Sequence, residues 1–254
     1  MEWWHILLIV SGGLLLLFLL SIVFYKPFFK RFWDIVLALL ALSVLSPLFI
    51  VLTIVGAIAM KGNPFFVQKR PGKKNKKTGK EKMFNLIKFR TMSNAKDKDG
   101  NLLPDEQRLN KYGKFLRTTS LDEFPEALNI IKGDMSVIGP RPQLIRDLVF
   151  MNNEQRKRHN VRPGLSGLAQ VKGRNNISWE QKFEYDLAYI KKLNIFYDIG
   201  IIFMTIGKMF KRSDVAREGT SSDIDFGDWL LQEGKVSQEE YNNKQQEALV
   251  VQNG

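Results

Sequence analysis

Two adjacent carboxylates, Asp122 and Glu123, stand in a stretch of chain rich in cations. Lys88 and Arg90 lie in Met83–Met92, whose alternation predicts a strand. A period of two places Phe84, Leu86, Lys88 and Arg90 on one face and Asn85, Ile87, Phe89 and Thr91 on the other. Two cations on one face of a strand can converge on a phosphate. Arg141 stands between Pro140 and Pro142 at the end of Gly133–Pro142, and Arg162, Lys172 and Arg174 stand in the Gly/Pro-bearing run Val161–Asn175. Proline restricts its own backbone and that of its predecessor, so these arginines sit on stiff turns suited to two-pronged phosphate binding. The chain has no cysteine, and its two histidines are His5 and His159. That excludes a disulfide scaffold, a Cys-ligated zinc site and a Cys nucleophile, and argues against a multi-His metal centre. The chemistry falls to carboxylates, hydroxyls, Lys and Arg.

The elements that must hold these groups can be read from pattern. Ser120–Gly133 predicts a helix, with Ser120 and Glu123 as a capping box, or else with Asp122 as N-cap and Pro125 in the first turn. Either version explains the acid pair as a helix cap, and Gly133 as its end. Ser93–Asp105 reads as a loop, and Lys73–Lys82 as a charged one. Ser178–Leu193 and Phe196–Arg212 are amphipathic, and such helices pack on a core or lie in a membrane interface.

Charge is unevenly placed along the 254 residues, which carry a net +12. Residues 1–60 hold three bases and two acids, residues 61–222 hold 33 and 17, and residues 223–254 hold two and seven. With 44% apolar and 11% aromatic residues, the chain can bury a core, which argues against a disordered or coiled-coil protein. Ile6–Tyr25 is nearly uncharged and long enough to cross a hydrocarbon core of about 30 Å. Glu2 lies before it and Lys26, Lys30 and Arg31 lie after it, so the positive-inside rule places the chain beyond Tyr25 in the cytoplasm. Ile35–Met60 is also apolar, but cations flank both its ends and Ser46-Pro47 interrupts its middle. A helix–break–helix that dips into one leaflet and returns satisfies both observations, since a full span would carry the basic body outside. In the acidic end, 223–254, Trp229, Leu230 and Leu231 could dock, but a partly disordered end is expected.

Several segments, in this order, resemble the bacterial sugar transferase family, the monotopic polyprenyl-phosphate phosphoglycosyl transferases. They are Lys30-Arg-Phe-Trp-Asp34, Ser46-Pro47, Gln68-Lys-Arg-Pro-Gly72, Lys88-Phe-Arg-Thr-Met92, Ser120-Leu-Asp-Glu123, Lys132-Gly-Asp-Met-Ser136, Gly139-Pro-Arg-Pro142, Arg162-Pro-Gly-Leu-Ser-Gly167 and Gly173-Arg-Asn175. Single tetrads of this kind carry no weight; the ordered set, over residues 26–222, does. The chain is similar to small members that carry the catalytic core alone, with one extra hydrophobic segment at its start. The resemblance implies transfer of a sugar 1-phosphate from a UDP-sugar to undecaprenyl phosphate, releasing UMP, at the start of lipid-linked surface glycan synthesis. It implies Asp122 as nucleophile, giving a phosphosugar–aspartyl intermediate, with Glu123 joining it in holding Mg²⁺. It implies Lys88, Arg117, Arg141 and Arg174 as phosphate ligands, and Ser46 and Pro47 as the break in the re-entrant helix.

The expected fold is α+β and membrane-associated, with short strands and amphipathic interfacial helices. Its parts are a transmembrane segment (1–25), a re-entrant helix (26–62), a cytoplasmic catalytic domain (63–222) and an acidic tail (223–254). The expected place is the bacterial inner membrane, on its cytoplasmic face. Membrane lipids are expected partners, nucleic acid is not, and the reading leaves room for a homodimer. Two rivals use the same residues. A basic polyanion-binding protein without catalysis would spread lysines over helices rather than set arginines in turns beside a carboxylate pair. A metal-dependent glycosyltransferase would use Asp97-Lys-Asp99 and release UDP.

Overall fold

The computed structural model describes residues 2–173, 177–211 and 224–253. Helix α1, Trp3–Val23, has 21 residues and an almost wholly exposed apolar surface, long and apolar enough to cross a membrane. Its C-terminal end is tied down: Ser21 Oγ donates to Leu17 O, and Trp33 Nε1 donates to Ser21 Oγ at 3.1 Å. A π turn, Tyr25–Phe29, leads into α2, Lys30–Val44, and α3, Ser46–Ala59. The two helices bend by 68° at the expected break. Pro47 has no N–H to give to the preceding turn, and Ser46 Oγ supplies a donor instead, to Ser43 O at 2.9 Å. Helix α2 begins five residues before the apolar run because its first turns belong to the polar domain. Arg31 donates to Ile130 O at 2.5 Å and Ile131 O at 2.7 Å, and Asp34 accepts from Ser136 Oγ and from Val137 N.

Strands β1, Phe65–Lys74, and β2, Glu81–Phe89, form an antiparallel hairpin. The charged loop is shorter than expected, because Lys73, Lys74 and Lys82 lie inside the strands. Phe84 and Leu86 pack on Ala38, Ile130 and Met135, so β2 is laid against both α2 and the helix after the acid pair. Lys88 continues the same face. After the short α4, Asp105–Arg108, comes α5, Lys111–Thr119. A 3₁₀ turn, Leu121–Glu123, leads to α6, Glu126–Lys132. Strands β3, Ser136–Ile138, and β4, Gly164–Ser166, pair in parallel and bring the two Gly/Pro-rich segments side by side. A Cβ on Gly164 would stand 2.0 Å from Gly139 N, and one on Gly167 would stand 2.1 Å from Gly139 O. Glycine is required there for backbones to touch.

Four-residue α7, Ile145–Leu148, and α8, Leu168–Lys172, precede α9, Trp179–Lys192, and α10, Ile195–Lys211. Helix α9 starts on a capping box of Ser178 and Gln181. Asp198 on α10 accepts from Tyr25 at 2.5 Å, Lys30 at 2.6 Å and Tyr189 at 2.8 Å, a buried junction between the apolar helices and the domain. The described part of the acidic tail is ordered, contrary to expectation: it forms α11, Phe226–Gln232, and α12, Gln238–Asn253. Trp229 and Leu230, two of the three residues expected as able to dock, do pack here, beside anchors the charge hid. Phe226 is buried among Leu148, Met151, Trp179 and Phe183, and Ala248 is buried beside Ile145 and Val149.

Candidate active site

The acid pair does not begin a helix by capping it. Ser120 ends α5 in the left-handed conformation (φ 58°), its side chain caps nothing, and α6 starts only at Glu126 with Pro125 before it. The capping box is therefore absent. Asp122 and Glu123 occupy the tight turn between two helices, which projects both carboxylates without spending either on backbone N–H groups.

Their surroundings differ. Glu123 Oε1 accepts from Lys88 Nζ at 2.8 Å and from Arg141 Nη2 at 2.8 Å. Burial opposes its ionisation, but Arg141 and Lys88 win and hold its carboxyl well below the usual range. The same contact pushes the Arg141 guanidinium up. The Asp122 carboxylate makes no hydrogen bond or ion pair among the described residues. Burial, then the charge of Glu123, raises its pKa against the pull of Lys88, Arg141 and Arg117. One acid is clamped and one is free. Arg117 is steered by its neighbours: Nε donates to Thr91 Oγ1 at 3.1 Å, and Gly113 lets α5 approach the end of β2, since a Cβ there would lie 1.8 Å from Thr91 O.

Lys88, Arg117, Arg141, Asp122 and Glu123 thus share one electrostatic site, whereas Arg174 lies outside the described residues. Arg162 is drawn elsewhere, donating to Gly133 O at 2.8 Å behind α6. Asp97 spends Oδ1 on the N–H groups of Asp99 and Asn101, so that triplet organises its own loop.

Three contributors were not singled out from sequence. Glu126 is 4% exposed in its side chain and takes a second contact from Lys88 Nζ, at 3.2 Å. Burial and the charge of Glu123 raise it to about 7. Its spacing of three from Glu123, one helical turn, was the available signal. Arg158 donates through Nε and Nη2 to Asp186 Oδ2 at 2.9 and 2.6 Å, and through Nη2 to Arg141 O at 2.8 Å. Arg70 donates to Pro142 O at 3.3 Å, and burial, then Arg141, lowers it to about 10. Two buried guanidiniums thus grip the backbone on which Arg141 stands. Nothing local in the sequence pairs residues 28 apart.

The Glu126 value sets a stability window. A carboxyl raised in the fold stabilises below its unfolded pKa of about 4.5 and loses that contribution as pH rises toward 7. Wild type is expected to lose stability over this interval relative to Glu126→Gln. Thermal unfolding of both proteins in detergent across pH 4.5–7 measures it, and parallel curves would refute the assignment.

Oxygen donors of the acid pair suit a hard cation such as Mg²⁺, which takes one or two carboxylates and completes its shell with water and phosphate. Glu123 Oε2 and both Asp122 oxygens are free of hydrogen bonds among the described residues. No three acids or imidazoles there converge into a protein cage. The donor set fits a cation shared with a phosphorylated substrate.

Residues 25–212 match the bacterial sugar transferase family. "Uncharacterized sugar transferase EpsL" of Bacillus subtilis (strain 168) is 44% identical over 182 residues, 71% of this chain and 86% of that protein. The UDP-glucose:undecaprenyl-phosphate glucose-1-phosphate transferase of Klebsiella pneumoniae is 36% identical over 197 residues, 72% of this chain. The UDP-galactose-lipid carrier transferase of Erwinia amylovora is 32% identical over 202 residues, 73% of this chain. The chain spans 40% and 41% of the length of those two relatives. A matched region that includes every described site residue leaves one conclusion: this chain is an enzyme and belongs to the bacterial sugar transferase family.

Proposed function

We propose that the chain is a sugar-phosphate transferase that moves a sugar 1-phosphate from a UDP-sugar to undecaprenyl phosphate and releases UMP. The observation that carries this reading is the unequal acid pair. Asp122 is free to attack, while Glu123 is held by two cations that also suit phosphate oxygens. An Asp122 oxygen attacks the β-phosphorus, the bond from that phosphorus to the bridging oxygen breaks, and UMP leaves with the bridging oxygen. An oxygen of the lipid phosphate then attacks the same phosphorus and frees Asp122. Two in-line displacements replace one difficult transfer, and one site serves a soluble donor and a membrane-bound acceptor in turn. Lys88, Arg117 and Arg141 neutralise the equatorial oxygens. Asp122 and Glu123 would hold Mg²⁺, which when bound supplies charge neutralisation for the leaving phosphate.

The bent pair α2–α3 is read as a re-entrant hairpin in the cytoplasmic leaflet of the inner membrane, with α1 crossing it. On that reading the site sits where a lipid phosphate would lie. The test of function is product analysis: UDP-glucose, UDP-galactose and N-acetylated UDP-sugars, each with undecaprenyl phosphate and Mg²⁺. UMP supports the reading, and UDP would make the enzyme a glycosyltransferase. Topology has its own test. Pro47→Ala restores the N–H that the break lacks and is expected to straighten α2–α3, carrying residues after Met60 outward. Because the chain has no cysteine, Lys80→Cys gives a single reporter for impermeant thiol reagents. Residue 80 still facing the cytoplasm in the Pro47→Ala protein would count against the prediction.

A further inference from the structure

The family match ends at residue 212, yet residues 224–253 pack against the elements that hold Arg141. The contacts fall on both sides of the arginine. Downstream of it, Asp147 is buried and accepts Leu144 N through Oδ2 at 3.1 Å and Phe226 N through Oδ1 at 2.9 Å. One carboxylate therefore joins the start of α7 to the start of α11. Arg146 pairs with Asp225 beside it. Behind the turn, the Phe226 ring lies 5.1 Å from both Trp179 and Phe183, and Trp179 Nε1 donates to Ile224 O at 3.1 Å. Phe183 is the ring under the Arg158 guanidinium, at 5.8 Å, and Arg158 is the group that holds Arg141 O. The far end closes the same way, with Lys69 Nζ donating to Gln252 O at 2.9 Å one residue before Arg70, which holds Pro142 O.

We propose that residues 224–253 are a positioning clamp for the Gly139–Pro142 turn, fixing Arg141 against Glu123 through α7 on one side and through Phe183 and Arg158 on the other. Among the described residues, no hydrogen bond or ion pair joins the tail to Lys88, Arg117, Asp122, Glu123 or the Arg141 side chain. The tail acts through Arg141, and its role rests on the proposal that Arg141 binds substrate phosphate. Positioning is worth much in phosphoryl transfer, where a misplacement of about 1 Å can cost on the order of a hundredfold. It also gives an acidic segment a reason to dock on a basic domain.

The test is Phe226→Ala in the full chain, read two ways. UMP release is expected to fall on the order of tenfold or more in kcat/KM. Amide hydrogen exchange is expected to quicken in residues 139–148 while the 65–89 hairpin keeps its protection. Phe226→Leu, which keeps an apolar group at the anchor, is expected to recover most of both. Exchange that rises equally in both segments, or UMP release within twofold of wild type, would overturn the clamp. If Phe226→Ala does not fold, Trp229→Ala at the outer side of the same cluster takes its place under the same criteria. Wild type that releases no UMP from any donor would refute the functional reading instead, and the exchange comparison would still decide the clamp.

Discussion

Asp122→Asn is expected to reduce UMP release below about 1% of wild type, whether or not undecaprenyl phosphate is present, because loss of a nucleophile usually costs several orders of magnitude. The substitution is nearly isosteric and breaks no contact, since the Asp122 carboxylate has no hydrogen-bond partner among the described residues. A loss of activity would therefore report chemistry rather than folding. Glu123 is poorly placed to substitute for it: Oε1 is already shared by Lys88 and Arg141 at 2.8 Å each. Incubation with donor alone makes the result specific. Wild type should gain the mass of one sugar phosphate, and Asp122→Asn should gain none. Activity above about 1% in the variant would show that transfer occurs directly from donor to lipid.

The largest expected effect on stability comes from Asp186→Asn. Arg158 and Asp186 are 2% and 3% exposed in their side chains, so neither charge has water to fall back on. Removing one partner of such a pair costs about 3–5 kcal/mol, because the other is left buried and uncompensated. Denaturant unfolding in detergent should show this as a lowered midpoint. Replacing both residues, Arg158→Met with Asp186→Leu, is expected to recover most of the stability, since well-packed apolar pairs often equal a buried ion pair. It should not recover activity, because Arg141 O still loses the donor that holds it. A double variant with wild-type turnover would show that this contact is structural only.

How far the sequence carries can be judged residue by residue. The alternation in Met83–Met92 placed Lys88 on the face that meets the carboxylates, and Ser46-Pro47 marked the bend. Both are local facts, since period two and a missing N–H act within a few residues. The same local logic misled at Ser120–Glu123, where a capping pattern is indistinguishable from a 3₁₀ turn until the preceding helix ends in a left-handed residue. It also misled at the tail, whose acidic composition outweighed Phe226 and Ala248. Apolar anchors announce themselves only when their receiving pocket is known.

Residue types and order alone determined the family, the presence of a carboxylate pair among cations, and the apolar segments at the head of the chain. The family rests on an ordered set of motifs and the other two on composition and spacing, none of which needs a partner. Tertiary structure decided which acid is clamped and which is free, that Glu126 shares Lys88, and that Arg158, Asp186 and the tail hold the turn of Arg141. Each of those depends on groups distant in sequence meeting in space, and Arg158 with Asp186 meets in a buried place. There, a charge left without its partner has no solvent to repay the loss, so the fold and not the spacing chooses the pairs.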